Sequence, residues 1–255
     1  MHILVTNDDG VDAPGIAALA GELRRTGHEV LVAAPRADSS GASAAVGPRA
    51  TDELVIEPVT LALEPSIEAV GVDALPALIV YAACRGAFGP VPELVCSGIN
   101  RGRNVGGSVF HSGTVGAALT ASQLGRSALA VSLQARGAQL HYETAAQLAA
   151  RLVPMLLGLR AGTVLNCNVP NVAPGELRGV RRARLARSGP ILPPIPLSSE
   201  VAPASPLEEG VPDEHSDDGL TLLGWATVTA LVPVSEDPDQ LTASSLDRDL
   251  PLLAR

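Results

Sequence analysis

Two adjacent carboxylates, Asp8 and Asp9, follow the short apolar run HILVT, inside the stretch NDDGVDAPG of residues 7–15. Mutually repelling charges at the end of a buried strand admit three readings: a capped turn, a metal site, or a pair of catalytic acids. On a regular strand, neighbouring side chains point to opposite faces, so both can serve one site only where the backbone turns. Gly10 permits that turn. The structural reading is an Asx-turn, or an N-cap for the helix that begins near Gly15. Two carboxylates held close together do not both ionise cheaply without a cation beside them. That favours the metal.

Two further polar, glycine-rich loops also follow predicted core strands: PRADSSGAS at residues 35–43 and SGINRGRNVGGSVFHSGT at residues 97–114. In an open parallel sheet, ligands bind outside the carboxyl ends of the strands, so the three loops should converge on one crevice. The donors available there are all oxygens: two carboxylates, a Ser hydroxyl from the second loop and an Asn carbonyl from the third. No His or Cys cluster has zinc spacing, so the expected ion is Mg²⁺ or Mn²⁺.

The segment HSGTVGAAL begins at His111. Ser112 or Thr114 can cap the helix that follows, and Gly113 allows close backbone approach. Free N–H groups together with the helix dipole form an anion seat. Beside two carboxylates and a metal, its natural occupant is a phosphoryl group. Other candidates are weaker. The run RGVRRARLAR at residues 178–187 reads as a solvated strand or an interface, and His2, His28, His141 and His215 lack identifiable partners. Ser40 is not in a GxSxG elbow, so a serine-triad hydrolase is a poor reading.

The elements that must position these loops follow from hydrophobic spacing. Residues 3–6 form a short strand. Ile16, Leu19, Ala20 and Leu23 recur at helical spacing before Gly27, and residues 29–34 form a second strand. Strand, helix, strand over this length is a βαβ unit of a parallel sheet. The pattern repeats with a third core strand ending at residues 94–96, a helix over 113–124 and a fourth strand at 128–133. A long helix from Tyr142 follows, with Pro154 expected to kink or end it, and then a fifth strand at 164–166. Residues 53–72 suggest a small hairpin. Beyond about Pro170 the character changes: seven prolines lie between Gly189 and Asp218, which reads as an extended arm. Residues 224–232 recover strand character, and a short helix is expected at the end of the chain.

The chain of 255 residues is long enough to bury a substantial core. Aromatics make up 2% of it, so Ala, Val and Leu must carry that core. Net charge is −9 and all 18 basic residues are Arg, which argues against a broad footprint for duplex nucleic acid. Cys84, Cys96 and Cys167 sit far apart in apolar surroundings and read as buried free thiols. The chain starts directly in a strand, without the pattern of a signal peptide. The longest apolar run, residues 74–84, is too short to span a bilayer. The expectation is a cytoplasmic protein with no membrane partner.

The three loops, in the order NDDGVDAPGI, APRADSSGAS and SGINRGRNVGGSVFHSGTVGAA, resemble the SurE family of survival proteins. The resemblance is close over about the first 170 residues, where ALAVSL, HYETAA and LNCNVP also match in order. It implies an α/β, Rossmann-like doubly wound, mostly parallel sheet with a less regular C-terminal extension: one domain over 1–255, with a catalytic core to 170 and an arm beyond. It also implies a metal-dependent 5′/3′-nucleotidase, or more broadly an acid-type phosphomonoesterase. Carried over position by position, the ligands of one divalent ion per subunit are Asp8, Asp9, Ser40 and Asn100. The substrate-phosphate contacts are Asn104, Ser112, Gly113 and Thr114, with Ser43 nearby. The family's extension exchanges between subunits, so a homodimer or homotetramer is implied.

Two departures stand out. The family's TPADC-like segment is GVDALPALIV here, at residues 71–80, and its usual Tyr before SGT is His111. The expected activity is hydrolysis of nucleoside 5′(3′)-monophosphates. A phosphatase for another phosphorylated metabolite, motivated by residues 71–80, and a non-catalytic phosphate-binding module are the alternatives. Asp8 is a candidate nucleophile or base, and His111 a candidate proton donor to the leaving oxygen.

Overall fold

A computed structural model describes residues 1–47, 53–187 and 213–234. In chain order its elements begin with β1 (His2–Thr6), α1 (Pro14–Arg25), β2 (Glu29–Pro35), β3 (Ile56–Pro58), β4 (Glu68–Val72) and α2 (Pro76–Ala83). Then come β5 (Leu94–Arg101), α3 (Gly113–Gln123), β6 (Ser127–Leu133), α4 (Tyr142–Leu157) and β7 (Val164–Val169), followed by β8 (Val180–Arg182), α5 (Asp217–Leu222) and β9 (Ala226–Leu231). Among the described residues the strands form one nine-stranded sheet in the order β3-β4-β2-β1-β5-β6-β7-β9-β8.

From β4 to β7 every neighbouring pair is parallel. Numbered among themselves, these strands follow the 3-2-1-4-5-6 order of Rossmann folds, whose winding reverses between the first and fourth strands. That reversal falls between β1 and β5, which pair from Ile3↔Leu94 to Thr6↔Ser97. The crevice opposite it lies at the carboxyl ends of these two strands, where the first and third polar loops begin.

Side-chain alternation explains why the sheet is covered on both faces. Ile3 and Val5 of β1, with Cys96 of β5, pack with the buried stripes of α1 and α4. Leu4 and Val95 pack with α2 and α3 on the other face. Ile16, Leu19 and Leu23 of α1 are fully buried, and each contributes roughly 1.5–3 kcal/mol by leaving water. Gly15 lets α1 approach β5 closely: a Cβ there would lie 2.2 Å from the Ile99 carbonyl oxygen.

Several elements depart from expectation. The hairpin forms, with β3 antiparallel to β4, but β4 also joins the parallel sheet beside β2. The apolar run at 74–84 is largely α2, with Pro76 at its first turn. The third core strand does not end at Cys96. It continues to Arg101 through a register shift between Ser97 and Asn100, where Gly98 breaks the alternation at φ +137°. Pro154 lies inside α4, which ends three residues later at Leu157. Beyond residue 170, β9 pairs antiparallel with β7 and parallel with β8, so this part of the chain extends the sheet. The Pro-rich stretch 190–212 and the expected terminal helix lie outside the described residues. Among the described residues, no helix is long and apolar enough to cross a membrane. The three cysteines are free thiols; burial pushes those of Cys96 and Cys167 well up.

Candidate active site at the switch point of the sheet

The turn after β1 is closed by Asn7, which precedes the two carboxylates. The buried Asn7 side chain donates to the Gly10 carbonyl at 2.8 Å and accepts from the Gly10 N–H at 3.2 Å. Gly10 adopts φ +105°, a conformation that other residues rarely take. The N-cap of α1 is Ala13, without a side-chain bond, and Pro14 opens the helix. Neither Asp8 nor Asp9 therefore makes the turn or caps the helix. Both carboxylates are left available for chemistry.

The second loop docks on the first. Ser39 donates to the Asp8 carbonyl through its backbone N–H at 2.7 Å and its hydroxyl at 3.2 Å. Its neighbour Ser40 points elsewhere: the Ser40 N–H and hydroxyl both donate to Asp38 Oδ1, at 2.8 and 2.6 Å. A hydroxyl whose proton is given to Asp38 keeps its oxygen lone pairs for another partner. Ser43, at φ +54°, ties this loop to the third. Its N–H donates to the His111 carbonyl at 3.1 Å and its hydroxyl to the Phe110 carbonyl at 2.8 Å.

The third loop supplies the opposite wall. The Arg101 N–H donates to Asp9 Oδ2 at 3.0 Å, and the Asn100 amide nitrogen donates to the Gly102 carbonyl at 2.8 Å, leaving Asn100 Oδ1 as the group on offer. Asn104 is held on four sides. Its N–H reaches Asn168, its amide nitrogen Ser132, and its carbonyl accepts from Asn166 and Asn168. After a 3₁₀ turn at Gly106–Phe110, Ser112 caps α3 by accepting from the Val115 N–H at 3.1 Å.

Helix α3 abuts Asp8 directly. The buried Thr114 hydroxyl donates to Asp8 Oδ1. A Cβ at Gly113 would stand 2.8 Å from Asp8 Oδ2, and one at Gly116 2.2 Å from the Ser43 carbonyl oxygen. Only glycine allows these approaches. The Thr114 side chain, expected at the substrate phosphate, is thus spent on Asp8. The Val115 and Gly116 N–H groups go to Ser112 and that of Thr114 to Asp8, so among the described residues the Gly113 N–H is the first-turn donor on offer at that end of the helix.

Burial sets the electrostatics. It raises the Asp8 carboxyl above the usual range, opposed by the Thr114 hydroxyl and N–H and reinforced by Asp38. It pushes Asp9 up to about 6, against the Arg101 N–H and with help from Asp8 and Asp38. Tyr142, at the start of α4, is raised by burial and then by the field of Asp9. A crowded carboxylate group of this kind is relieved by a cation. Among the described residues, no three His, Cys, Asp or Glu side chains form a metal-binding group on their own. The donors that the three loops present are carboxylate, hydroxyl and amide oxygens, a set that fits a hard cation better than zinc.

The sequence model of the family described as "Survival protein SurE" matches residues 3–190, which include all three loops. The chain belongs to the SurE family. The protein named 5′-nucleotidase SurE in Xanthomonas campestris pv. campestris strain B100 is 41% identical over 199 residues, 76% of this chain and 74% of that protein. The protein of the same name in Xanthomonas euvesicatoria pv. vesicatoria strain 85-10 has the same identity and coverage. The crystal structure of the SurE protein from Aquifex aeolicus superposes with a TM-score of 0.69, at 26% identity and over 100% of both chains. This SurE fold is therefore α/β, with a mixed, mostly parallel sheet.

Within the SurE frame, four residues of the site carry no expectation from the sequence: Asn7, Asp38, Tyr142 and Asp217. Asp38 lies inside a quoted loop, but its hold on Ser40 is visible only in three dimensions. Buried Asp217 accepts from the Gly106 N–H at 3.1 Å and the Ala186 N–H at 2.8 Å, and Asp218 pairs with Arg103. The C-terminal α5 thereby clamps the loop on both sides of Asn104. Residues 178–187 do read as a solvated strand: β8 is an exposed edge, and Arg178 and Arg181 stack on Trp225. Residues 71–80 are mostly buried in β4 and α2.

Proposed function

We propose that this chain is a divalent-metal-dependent phosphomonoesterase that hydrolyses nucleoside 5′(3′)-monophosphates to nucleoside and phosphate. The observation that carries it is the pair Asp8 and Asp9, released from turn and cap duties by Asn7 and Ala13, with Asp8 pressed against the N-terminus of α3 and Asp9 held by the Arg101 N–H. The names of the Xanthomonas relatives support the substrate class.

Asp8, Asp9, Ser40 and Asn100 would hold one Mg²⁺ or Mn²⁺ per subunit. When bound, the ion supplies positive charge against the phosphoryl oxygens and activates water. The chain's own residues do the remaining work. Gly113 and Ser112 seat the phosphate at the helix N-terminus, with Asn104 and Ser43 beside it, and Thr114 fixes the Asp8 carboxylate through its hydroxyl. Fixed donors at the developing charge are the main source of rate in phosphoryl transfer. A water oxygen bonds to phosphorus and gives its proton to Asp8 as base, the ester P–O bond breaks, and the leaving oxygen takes a proton, for which His111 is the nearest candidate by sequence. Residues 1–255 act as one SurE-like domain, with the core in 1–170 and the arm in 171–255 joining subunits as a homodimer or homotetramer.

The test is inorganic phosphate release from nucleoside 5′- and 3′-monophosphates and other phosphomonoesters, with Mn²⁺, with Mg²⁺ and with chelator, comparing wild type with Asp8→Asn. Metal-dependent release that the variant loses is expected. Release confined to non-nucleotide esters would overturn the substrate class, and metal and ligand binding without release would indicate a binding module. His111→Phe with an unchanged rate and pH profile would remove the proton-donor role.

A further inference from the structure

The backbone that Ser43 ties to the second loop of this site carries an aromatic side chain that is exposed among the described residues. Phe110 is 76% exposed in a chain with only two phenylalanines and 2% aromatic residues. Its ring meets that of His111 edge to face, at 5.1 Å between centroids and 89° between planes. The backbone beneath it is tied to the second loop. The Phe110 and His111 carbonyls both accept from Ser43 of the second loop, and the Ser43 carbonyl is locked against Gly116 of α3. Gly113 is three positions after Phe110, so the two Cα atoms lie within about 11 Å of each other even if the chain were fully extended. The base of a nucleotide whose phosphate rests at Gly113 lies within that radius.

Resting on the reading above, we propose that Phe110 is the nucleobase platform of the site. The base stacks on its free face, while the edge-on His111 ring and the Ser43 bonds hold the platform in place. Stacking is indifferent to hydrogen-bonding pattern, because every base presents a π-face. Phe110 therefore selects nucleotides over base-free phosphate esters, and purines over pyrimidines through their larger face. It acts on substrate binding and not on the chemical step, since the base gains nothing in the transition state that it lacks in the ground state.

The test compares wild type, Phe110→Ala and Phe110→Trp on adenosine 5′-monophosphate and on glycerol phosphate. Steady-state kinetics are paired with calorimetric Kd values for both compounds, and with the mass of the assembly in solution. Phe110→Ala should raise KM and Kd for the nucleotide roughly tenfold, within the range of base–aromatic stacking. The Kd of glycerol phosphate should stay unchanged, and any change in kcat transmitted through the His111 ring should be the same for both esters. Phe110→Trp should restore nucleotide binding. Equal losses on both esters would overturn the proposal, as would no loss on either. A changed assembly mass in Phe110→Ala, with losses on both esters, would also overturn it, making a second copy of the chain the occupant of the ring. If the wild type releases phosphate from nothing, the phosphatase reading fails, while the two Kd comparisons still decide whether Phe110 stacks a base.

Discussion

The Thr114 hydroxyl donates to Asp8 Oδ1, joining the first turn of α3 to the end of β1 across 106 residues of chain. Both groups are buried, so the bond does two things at once. It satisfies a carboxylate that burial has driven upward, and it fixes which Asp8 oxygen is left for a ligand. Thr114→Val keeps the shape and removes the donor. Stability should fall by about 1–3 kcal/mol, the cost of leaving a buried polar group short of a partner. Phosphate release should fall roughly 10- to 100-fold, as for other residues that orient a metal-binding carboxylate. Thr114→Ser should recover most of both. A urea titration beside the release assay checks this, and wild-type kinetics in the valine variant would refute it.

Gly113 tests the same contact sterically. The added methyl of Gly113→Ala would stand 2.8 Å from Asp8 Oδ2, so carboxylate and helix must separate. Misplacement of this order costs about 100-fold in rate. The expected variant is folded by circular dichroism and nearly inactive. An active alanine variant would mean that the helix N-terminus does not need to touch Asp8.

Asp38 has two separable effects. Its Oδ1 accepts both donors of Ser40, and its charge raises Asp8 and Asp9. Asp38→Asn keeps an acceptor and loses the charge, so the acid limb of the activity profile should move to lower pH. Asp38→Ala frees the Ser40 hydroxyl as well, and Mn²⁺ affinity should weaken roughly tenfold. Calorimetric titration of both variants with Mn²⁺ distinguishes the effects; identical behaviour in the two would reject the assignment.

The raised carboxyls also fix a pH dependence. Asp9 titrates at about 6 in the folded metal-free protein, against an ordinary value of 3.8. Its protonated form is the one the fold prefers, so this stabilising contribution is complete below 3.8 and is lost as pH rises through about 6. Asp9→Asn removes that dependence. In chelator, the Tm advantage of the variant over wild type should grow between pH 4 and 7. With saturating Mn²⁺ it should reverse at neutral pH, because the wild type then gains the binding free energy of the ion. A Tm difference independent of pH would count against the burial of Asp9.

The sequence alone determined the alternating pattern of β1, α1, β2, α3, β6, α4 and β7, because strands covered on both faces read as apolar runs and helices as periodic ones. It also placed the three loops at strand ends, and so made one convergent crevice an expectation. What it could not separate was neighbours of like type. Asn7, Asp8 and Asp9 can each close an Asx-turn, and only the fold shows Asn7 doing so. Ser39 and Ser40 are interchangeable in composition, yet one buttresses the Asp8 backbone while the other is turned to Asp38. The place of β4 beside β2, and the helices α2 and α5, escaped for a related reason. Short segments show too few periods to declare themselves, and long-range pairing decides their conformation. The clamp of Asp217 on Gly106 and the contact of Thr114 with Asp8 span more than a hundred residues. Such contacts are set by where the sheet's winding reverses and by how closely glycine lets a helix approach it, and both are properties of the assembled chain.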